Sequence, residues 1–420
     1  MNIAYREALQ SQHDHCCPRQ SIIPPNRLET GNWDLLATFL QFPGEKSRSL
    51  LQADLRKLLK RDHVFLAPSA RCAIAHLLSL LPQNEVVMPA FNCGVVKSAV
   101  EAAGKKIVYV DVAKNSVNAT SVEFSREAKP GRILLITHQF GVPTDVEAIC
   151  QLARDRGCIT IEDAACCFGA MHRGKPLGTF ADFGVFSFES WKRLPAFRGG
   201  AIVINNASLF DPGKITDAPF VKTYSKAPMR EMILAAGRNL ATIPWIYGHL
   251  TLPVLLRNYF KPLPPPAPPG HQPWNVTSGA PFTREFHPYQ AQLVSRLLRR
   301  FDSVRGHIAR LVSIYDCAFK NEFVTTFLPT ERDDAGILRY PVAFSKRSRA
   351  EALRDALKRG LYLETEFEQP LPDEADLSRF PHAVQAGHEV VLLPLYTSLS
   401  ENRAAWLAGQ VNEIARAGSE

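Results

Sequence analysis

Lys192 and Asp163 are the two residues whose positions first suggest chemistry. Lys192 stands in Ser187-Phe-Glu-Ser-Trp-Lys-Arg-Leu-Pro-Ala-Phe-Arg-Gly-Gly200, between the apolar stretches 180–186 and 201–204. A charge between two strand-like segments is unfavourable unless it is paired or its amine is used. Asp163 ends another strand pattern, Cys158-Ile-Thr-Ile-Glu-Asp163. Parallel strands of one sheet end on a shared crevice, and ligands of α/β folds bind there. An amine and a carboxylate converging in that crevice suit pyridoxal 5′-phosphate (PLP). Its aldehyde needs an amine, and its pyridine nitrogen needs a carboxylate to stay protonated, which makes the ring an electron sink. On these two residues alone, a plain Asp–Lys ion pair remains open.

The elements that would position them follow from periodicity. Helical spacing of Leu50-Leu51, Leu55 and Leu58-Leu59 predicts a helix from about Ser47. Strand-like runs then alternate with helical ones. The strands are expected at 64–66, 85–88, 106–110, 132–137 and 158–161, the helices at 73–81, 95–103 and 146–156. Such alternation predicts an α/β domain with a mostly parallel sheet. Asp111, His138 and Asp163 each fall just after a strand.

Residues 205–280 break the pattern and read as an insertion. Within it, 240–256 is a nearly uncharged run that approaches the lower length limit for a membrane span. Pro244, His249 and Pro253 argue against spanning, so a buried or interface-forming helical segment is expected, with membrane-surface contact as the lesser reading. Residues 262–273 are proline-rich and predict an extended linker. A long helix is expected over 289–304, a strand over 337–344, and helices over 349–358 and 401–416. The expected organisation is an arm at 1–45, a large α/β domain at 46–285 containing the insertion, and a small α+β domain at 286–420.

Composition narrows the function classes. Of 420 residues 46% are hydrophobic and 21% charged, as in an ordinary globular protein. The formal net charge of +8 favours acidic ligands such as phosphates. The basic residues are scattered, with no nucleic-acid motif. Nine cysteines without a CxxC pair give no zinc signature, and their odd number suits a reduced, cytoplasmic setting. His13-Asp-His-Cys-Cys17 is too tightly spaced to close one tetrahedral metal site, so no metal is expected. The N-terminal residues contain no apolar signal core.

Several motifs taken in order resemble the DegT/DnrJ/StrS-type sugar aminotransferases. They are Ile161-Glu-Asp-Ala-Ala165, Phe168-Gly-Ala170, Gly178-Thr-Phe-Ala-Asp-Phe-Gly-Val-Phe-Ser-Phe188, Lys192 and Gly199-Gly-Ala-Ile-Val203. Upstream, Val87-Met-Pro-Ala-Phe91, Ala102-Ala-Gly104, Val110-Asp-Val112 and His138-Gln-Phe-Gly-Val-Pro-Thr-Asp145 fit the same pattern. Downstream, Pro288-Tyr-Gln-Ala291 and Leu392-Leu-Pro-Leu-Tyr396 do so too. The resemblance runs from about Asp62 to the C-terminus, apart from the insertion.

The resemblance implies the PLP-dependent transferase fold of type I, with a seven-stranded, mostly parallel sheet and a small C-terminal domain. It implies PLP as cofactor and a homodimer with its active sites at the interface. By position, Lys192 is the lysine that takes the cofactor aldehyde, Asp163 the pyridinium partner, and Ser187 a phosphate ligand. Ser69, Ala70 and Arg71 lie where the family has a phosphate loop opening a helix, whose N–H groups can cradle the anion. The implied reaction is amino transfer from an amino acid, glutamate by family analogy, to a nucleotide-linked keto-sugar. A non-sugar ketone, or a degenerate relative that only binds, are the alternatives. Dehydratases of the family usually carry His in place of the lysine, and Lys192 argues against that chemistry.

Several positions depart from the family pattern. Cys166 stands where Gln or His is frequent beside the cofactor hydroxyl, and Cys93 where an aromatic often stacks on the ring. Arg193 replaces the usual Asn after the lysine, and Arg198 the Glu of Gly-Glu-Gly-Gly. The Asn that reaches across the dimer is missing, its place falling near Thr283. The two arginines suggest a more acidic substrate.

Overall fold

The computed structural model describes residues 23–216, 229–259, 285–367 and 370–417. Seven strands form the main sheet: β1 (His63–Ala67), β2 (Glu85–Pro89), β3 (Lys106–Val110), β4 (Arg132–Thr137), β5 (Ile159–Asp163), β8 (Phe183–Ser187) and β9 (Gly200–Ile204). Between β5 and β8, the two-residue strands β6 (Met171–His172) and β7 (Lys175–Pro176) pair as a small hairpin. The spatial order is β1-β9-β8-β5-β4-β2-β3. Only β9 runs against the rest, pairing antiparallel with both β8 and β1. This is the α/β architecture with a mostly parallel sheet expected from the alternation, and its seven strands match the type I fold that the resemblance implies.

The strands are continuous apolar runs because helices cover both faces of the sheet. On one face Leu77, Leu78, Ile133, Leu135 and Ile161 form a core. On the other, Leu51, Leu55, Leu134, Ile136 and Phe186 join residues of the helix Pro288–Leu298. That helix lies beyond the expected boundary at residue 285, yet Tyr289, Leu293 and Leu297 pack into the large-sheet core. The single helix expected over 289–304 is two, Pro288–Leu298 and Phe301–Ala318, separated at Arg299 and Arg300. The apolar spacing continues across the break, so periodicity alone did not mark it.

A second sheet of three antiparallel strands, β10 (Val324–Thr326), β11 (Tyr340–Phe344) and β12 (Val391–Leu393), packs with the helices Arg349–Lys358 and Glu401–Arg416 around a third core. The strand expected at 337–344 begins only at Tyr340. Leu338 and Arg339 instead donate their N–H groups to the Phe140 carbonyl, at 2.8 and 3.1 Å, and so tie this region to the loop after β4. Gly141 makes that approach possible: a Cβ there would meet Gly336 O at 2.5 Å and Leu338 N at 2.6 Å.

Candidate active site

The ends of β4, β5 and β8 deliver Thr137, Asp163 and Ser187 to one cavity of about 670 Å³. Lys192, Ser69, Ala70, Arg71, Cys93, His138 and Cys166 line the same space. A somewhat larger cavity of about 720 Å³ opens near Arg27, Trp33 and Arg300, away from these groups. The convergence of an amine, a carboxylate and a helix N-terminus marks the first as the reactive one.

Lys192 belongs to a wide loop between β8 and β9 that four backbone hydrogen bonds hold in shape. Lys192 N–H donates to Glu189 O at 3.0 Å, Ala196 N–H to Phe188 O at 2.8 Å, Phe188 N–H to Gly199 O at 2.8 Å, and Arg198 N–H to Ala196 O at 2.8 Å. Buried Gln290 grips the loop from outside, donating to the carbonyls of Ala196 and Arg198 at 2.8 and 3.0 Å. The Gln of the Pro288-Tyr-Gln-Ala291 motif is thus a brace for the lysine loop.

Half-buried Lys192 donates from Nζ to Cys166 Sγ at 2.9 Å. Burial disfavours its charge, but Cys166, Glu366 and Cys93 outweigh that and hold its pKa above the ordinary lysine value. Burial pushes the Cys93 thiol up, against the opposing pull of the Lys192 charge. Asp163 is buried, and burial raises its pKa against the pull of the Ala165 N–H, Lys192 and His138. Its Oδ1 accepts from Ala165 N–H at 3.0 Å, while Oδ2 has no protein donor among the described residues.

Behind Asp163 lies a satisfied pair, His138 and Glu162, to which the sequence reading assigns no role. His138 Nδ1 accepts from Thr144 N–H at 3.2 Å, so Nε2 carries the proton and donates to Glu162 Oε1 at 3.1 Å. Glu162 also accepts from the N–H groups of Gly178, Phe180 and Ala181 at 2.5, 2.9 and 3.3 Å. Burial alone would raise this carboxyl, but the His138 and backbone hydrogen bonds hold it below the usual glutamate range. Adjacent residues of one strand therefore divide the work: Glu162 fixes the loop behind the sheet, and Asp163 faces the cavity.

Ser69 is the N-cap of the helix Ala70–Leu80, its Oγ accepting from Cys72 N–H at 3.1 Å. The first N–H groups of a helix have no intrahelical acceptor. Ser187 stands beside this helix start because β9 brings Gly200 against it. A Cβ on Gly200 would meet Ala70 N at 2.6 Å, Phe186 O at 2.7 Å and Ser69 C at 2.8 Å. That close approach accounts for the second glycine of Gly199-Gly200. Arg71 is buried, its pKa lowered by burial and raised by the Glu189 charge facing it.

One expected site residue, and one strand-end acid, stand elsewhere. Arg193 is not on the cavity wall. Its Nη1 reaches Glu29 Oε1 at 2.7 Å and Leu395 O at 3.2 Å, and its Nη2 reaches Ile337 O at 2.8 Å. The buried Glu29 carboxylate and the two carbonyls hold it there. Asp111 accepts from the N–H groups of His382 and Ala383 at the start of the helix Pro381–Glu389, outside the site. Arg198 does line the cavity, but its Nη2 is paired with Glu231 Oε1 at 2.8 Å. Thr283, the segment 13–17 and the linker 262–273 lie outside the described residues.

Other wall residues escaped the sequence reading. Asn92 donates to Thr137 Oγ1 at 3.0 Å and accepts from Gln139 Nε2 at 3.2 Å, forming a polar floor. Leu338, Arg339, Glu366 and Phe367 arrive from the C-terminal region, and Glu231, Leu234 and Arg238 from the insertion. Residues from distant segments leave no periodic signal in a single sequence.

Residues 36–225 match the model of the DegT/DnrJ/EryC1/StrS aminotransferase family, so the resemblance read from the motifs holds over that segment. Over 125 residues the chain is 32% identical to the dTDP-4-dehydro-2,3,6-trideoxy-D-glucose 4-aminotransferase of Saccharopolyspora spinosa, covering 30% of this chain and 32% of the relative. It is 31% identical over 136 residues to the GDP-perosamine synthase of Escherichia coli O157:H7, covering 32% and 37%. The chain thus spans about a third of the length of these curated relatives. A protein of Streptococcus pneumoniae assigned as a sugar aminotransferase, solved in its PMP form, superposes with a TM-score of 0.73 at 17% identity. The match covers 95% of this chain and all of the other, and it shows the shared fold.

Proposed function

We propose that this protein is a PLP-dependent aminotransferase that moves an amino group from an amino acid, glutamate by family resemblance, to a nucleotide-linked keto-sugar. The observation that carries the reading is the placement of Lys192 Nζ and the Asp163 carboxylate on the walls of one cavity that also holds the N-terminus of Ala70–Leu80. The residues fit the cofactor. Asp163 Oδ2 lacks a protein donor among the described residues, as a carboxylate reserved for a ring N–H would. Ser69, Ala70 and Ser187 line that cavity at the start of the helix Ala70–Leu80, whose first N–H groups suit a phosphate.

When bound, PLP supplies an aldehyde for amine capture and a protonated ring that spreads the electrons of a neighbouring carbanion. The protein's own residues supply the rest. Lys192 takes a proton at a substrate carbon and returns it, acting as base and then acid. Cys166 holds the amine by its hydrogen bond. Asp163, backed by the His138–Glu162 pair, would hold a negative charge toward a ring nitrogen. Ser187 and the helix start bind phosphate, with Arg71 adding positive charge. The named sugar substrates of the two relatives, one dTDP-linked and one named for GDP, support a nucleotide-linked acceptor. The same reading carries a cytoplasmic homodimer with a large domain that starts near residue 46 and takes in the helix Pro288–Leu298, followed by a small C-terminal domain. Among the described residues no helix is long and apolar enough to cross a membrane.

The test is covalent capture. Protein incubated with PLP and reduced with borohydride should carry a phosphopyridoxyl group on the Lys192 peptide, and Lys192→Ala should carry none there. Glutamate added before reduction should diminish the labelling. Absence of label at Lys192 under excess PLP would overturn the proposal.

A further inference from the structure

The helix Met229–Ala241 lies within the insertion. Met232 and Ala235 anchor it in the large-sheet core. Glu231, Leu234 and Arg238, spaced by three and four residues, fall on one helical face and line the reactive cavity. Glu231 fastens that face to the lysine loop through Arg198, at 2.8 Å. Arg238 approaches the other end of the loop, its guanidinium carbon 5.3 Å from the centroid of the Trp191 ring. Trp191 is the residue immediately before Lys192.

The chemistry of this rim is specific. Arg198 is already matched by Glu231, whereas Arg238 forms no ion pair among the described residues. Its positive charge is held in place by the indole instead. With Arg238 over its ring, Trp191 is still 42% exposed on the cavity wall. Leu234 adds a second exposed apolar group beside it. A fixed guanidinium binds phosphate oxygens in a forked manner. An open indole face stacks a planar base, and such stacking is worth about 1–3 kcal/mol per base. A cavity of about 670 Å³ has room for more than a small keto acid.

We propose that Arg238 and Trp191 form the subsite for the nucleoside diphosphate portion of the acceptor, with Arg238 on the phosphates and Trp191 under the base. The insertion helix is then the element that fixes acceptor class. This rests on the amino-transfer reading only for the identity of the site, because nucleotide binding is measured without turnover.

The experiment uses the full chain loaded with PLP, with UDP, dTDP and GDP as probes, followed by titration calorimetry and by quenching of tryptophan fluorescence. At least one nucleoside diphosphate should bind more tightly than inorganic phosphate or glutamate. Arg238→Ala should weaken it roughly tenfold to a hundredfold, as loss of a charge-assisted contact does. Trp191→Ala should weaken it and abolish the quenching, and Trp191→Phe should recover part of the affinity. Borohydride labelling of Lys192 should be unchanged in the Arg238 variant. Equal nucleotide affinity in wild type and Arg238→Ala, with labelling intact, would overturn the subsite and leave the proposed function standing. Nucleotide binding that depends on Arg238 without any Lys192 label would do the reverse.

Discussion

The Lys192 ammonium and the Cys166 thiol meet at 2.9 Å, and each lines the cavity in which Asp163 ends β5. The contact joins two positions that are remote in sequence. Burial opposes the charge on Lys192, so the elevated pKa of the amine depends on its neighbours, Cys166 first among them. Cys166→Ala should therefore lower the pH at which Lys192 becomes a free amine. Labelling of the Lys192 peptide by an amine-specific reagent across a pH series reads this directly. The midpoint should move down in Cys166→Ala and lie between the two in Cys166→Ser. Coincident profiles for wild type and Cys166→Ala would show that the thiol has no hold on the lysine.

Glu162 supports the site from behind. It is fully buried, with His138 Nε2–H and three backbone N–H groups on its two oxygens. Its pKa in the folded chain lies below the unfolded value of about 4.3. A depressed carboxyl contributes stability above the unfolded pKa, and that contribution is lost as pH falls through the folded one. Denaturant unfolding should thus show stability falling below about pH 4.3, with a shallower fall in Glu162→Gln. At neutral pH the glutamine amide would face backbone N–H donors, and the variant should lose about 2–4 kcal/mol. An unchanged midpoint in denaturant would contradict this account.

How much of this was legible in the sequence differs between strands and walls. β1 to β5 were readable because each is an apolar run whose ends coincide with polar residues, and Asp163 at one such end was correctly placed on the cavity. Lys192 was noticed because a charge interrupts two apolar segments. Arg193 was misplaced because the sequence does not show that Glu29, from the N-terminal region, reaches it. The same applies to Glu231 and Arg238: the insertion has no motif, and its helix reaches the site only through tertiary packing. Glu162 and Asp163 are adjacent in sequence, and the alternation of side chains along a strand sends them to different surroundings.

Gly200 tests the phosphate cradle independently of any ionisable group. In Gly200→Ala the added methyl meets backbone atoms of Ser69, Ala70 and Phe186 at 2.6–2.8 Å, and none of these can swing aside. The strand or the helix start must shift. We expect a loss of about 1–3 kcal/mol in unfolding free energy, as for other forced overpacking. We also expect weaker retention of PLP on dialysis, read as a lower fraction of phosphopyridoxyl-Lys192 after reduction. Full stability with full retention would mean that the helix start is not part of the cradle.

Arg193 ties three segments of the chain, and its substitution should act through stability rather than through substrate. Its side chain is 4% exposed and that of Glu29 8% exposed. Glu29 also accepts from Thr397 N–H and Oγ1, at 3.3 and 2.6 Å, so the pair links the N-terminal region, the lysine loop and the segment after β12. Removing one member of a buried pair strands the other charge, at a typical cost of about 3–5 kcal/mol. Arg193→Ala should fall in that range in denaturant unfolding, and Arg193→Lys should recover only part, since an ammonium cannot reach Glu29, Leu395 O and Ile337 O together. In the double variant with Glu29→Gln the losses should be strongly non-additive, because either change alone already breaks the pair. A role at the substrate predicts the opposite pattern: normal unfolding, additive energies and a raised KM. The burial of both side chains and the three contacts of the guanidinium favour the structural tie.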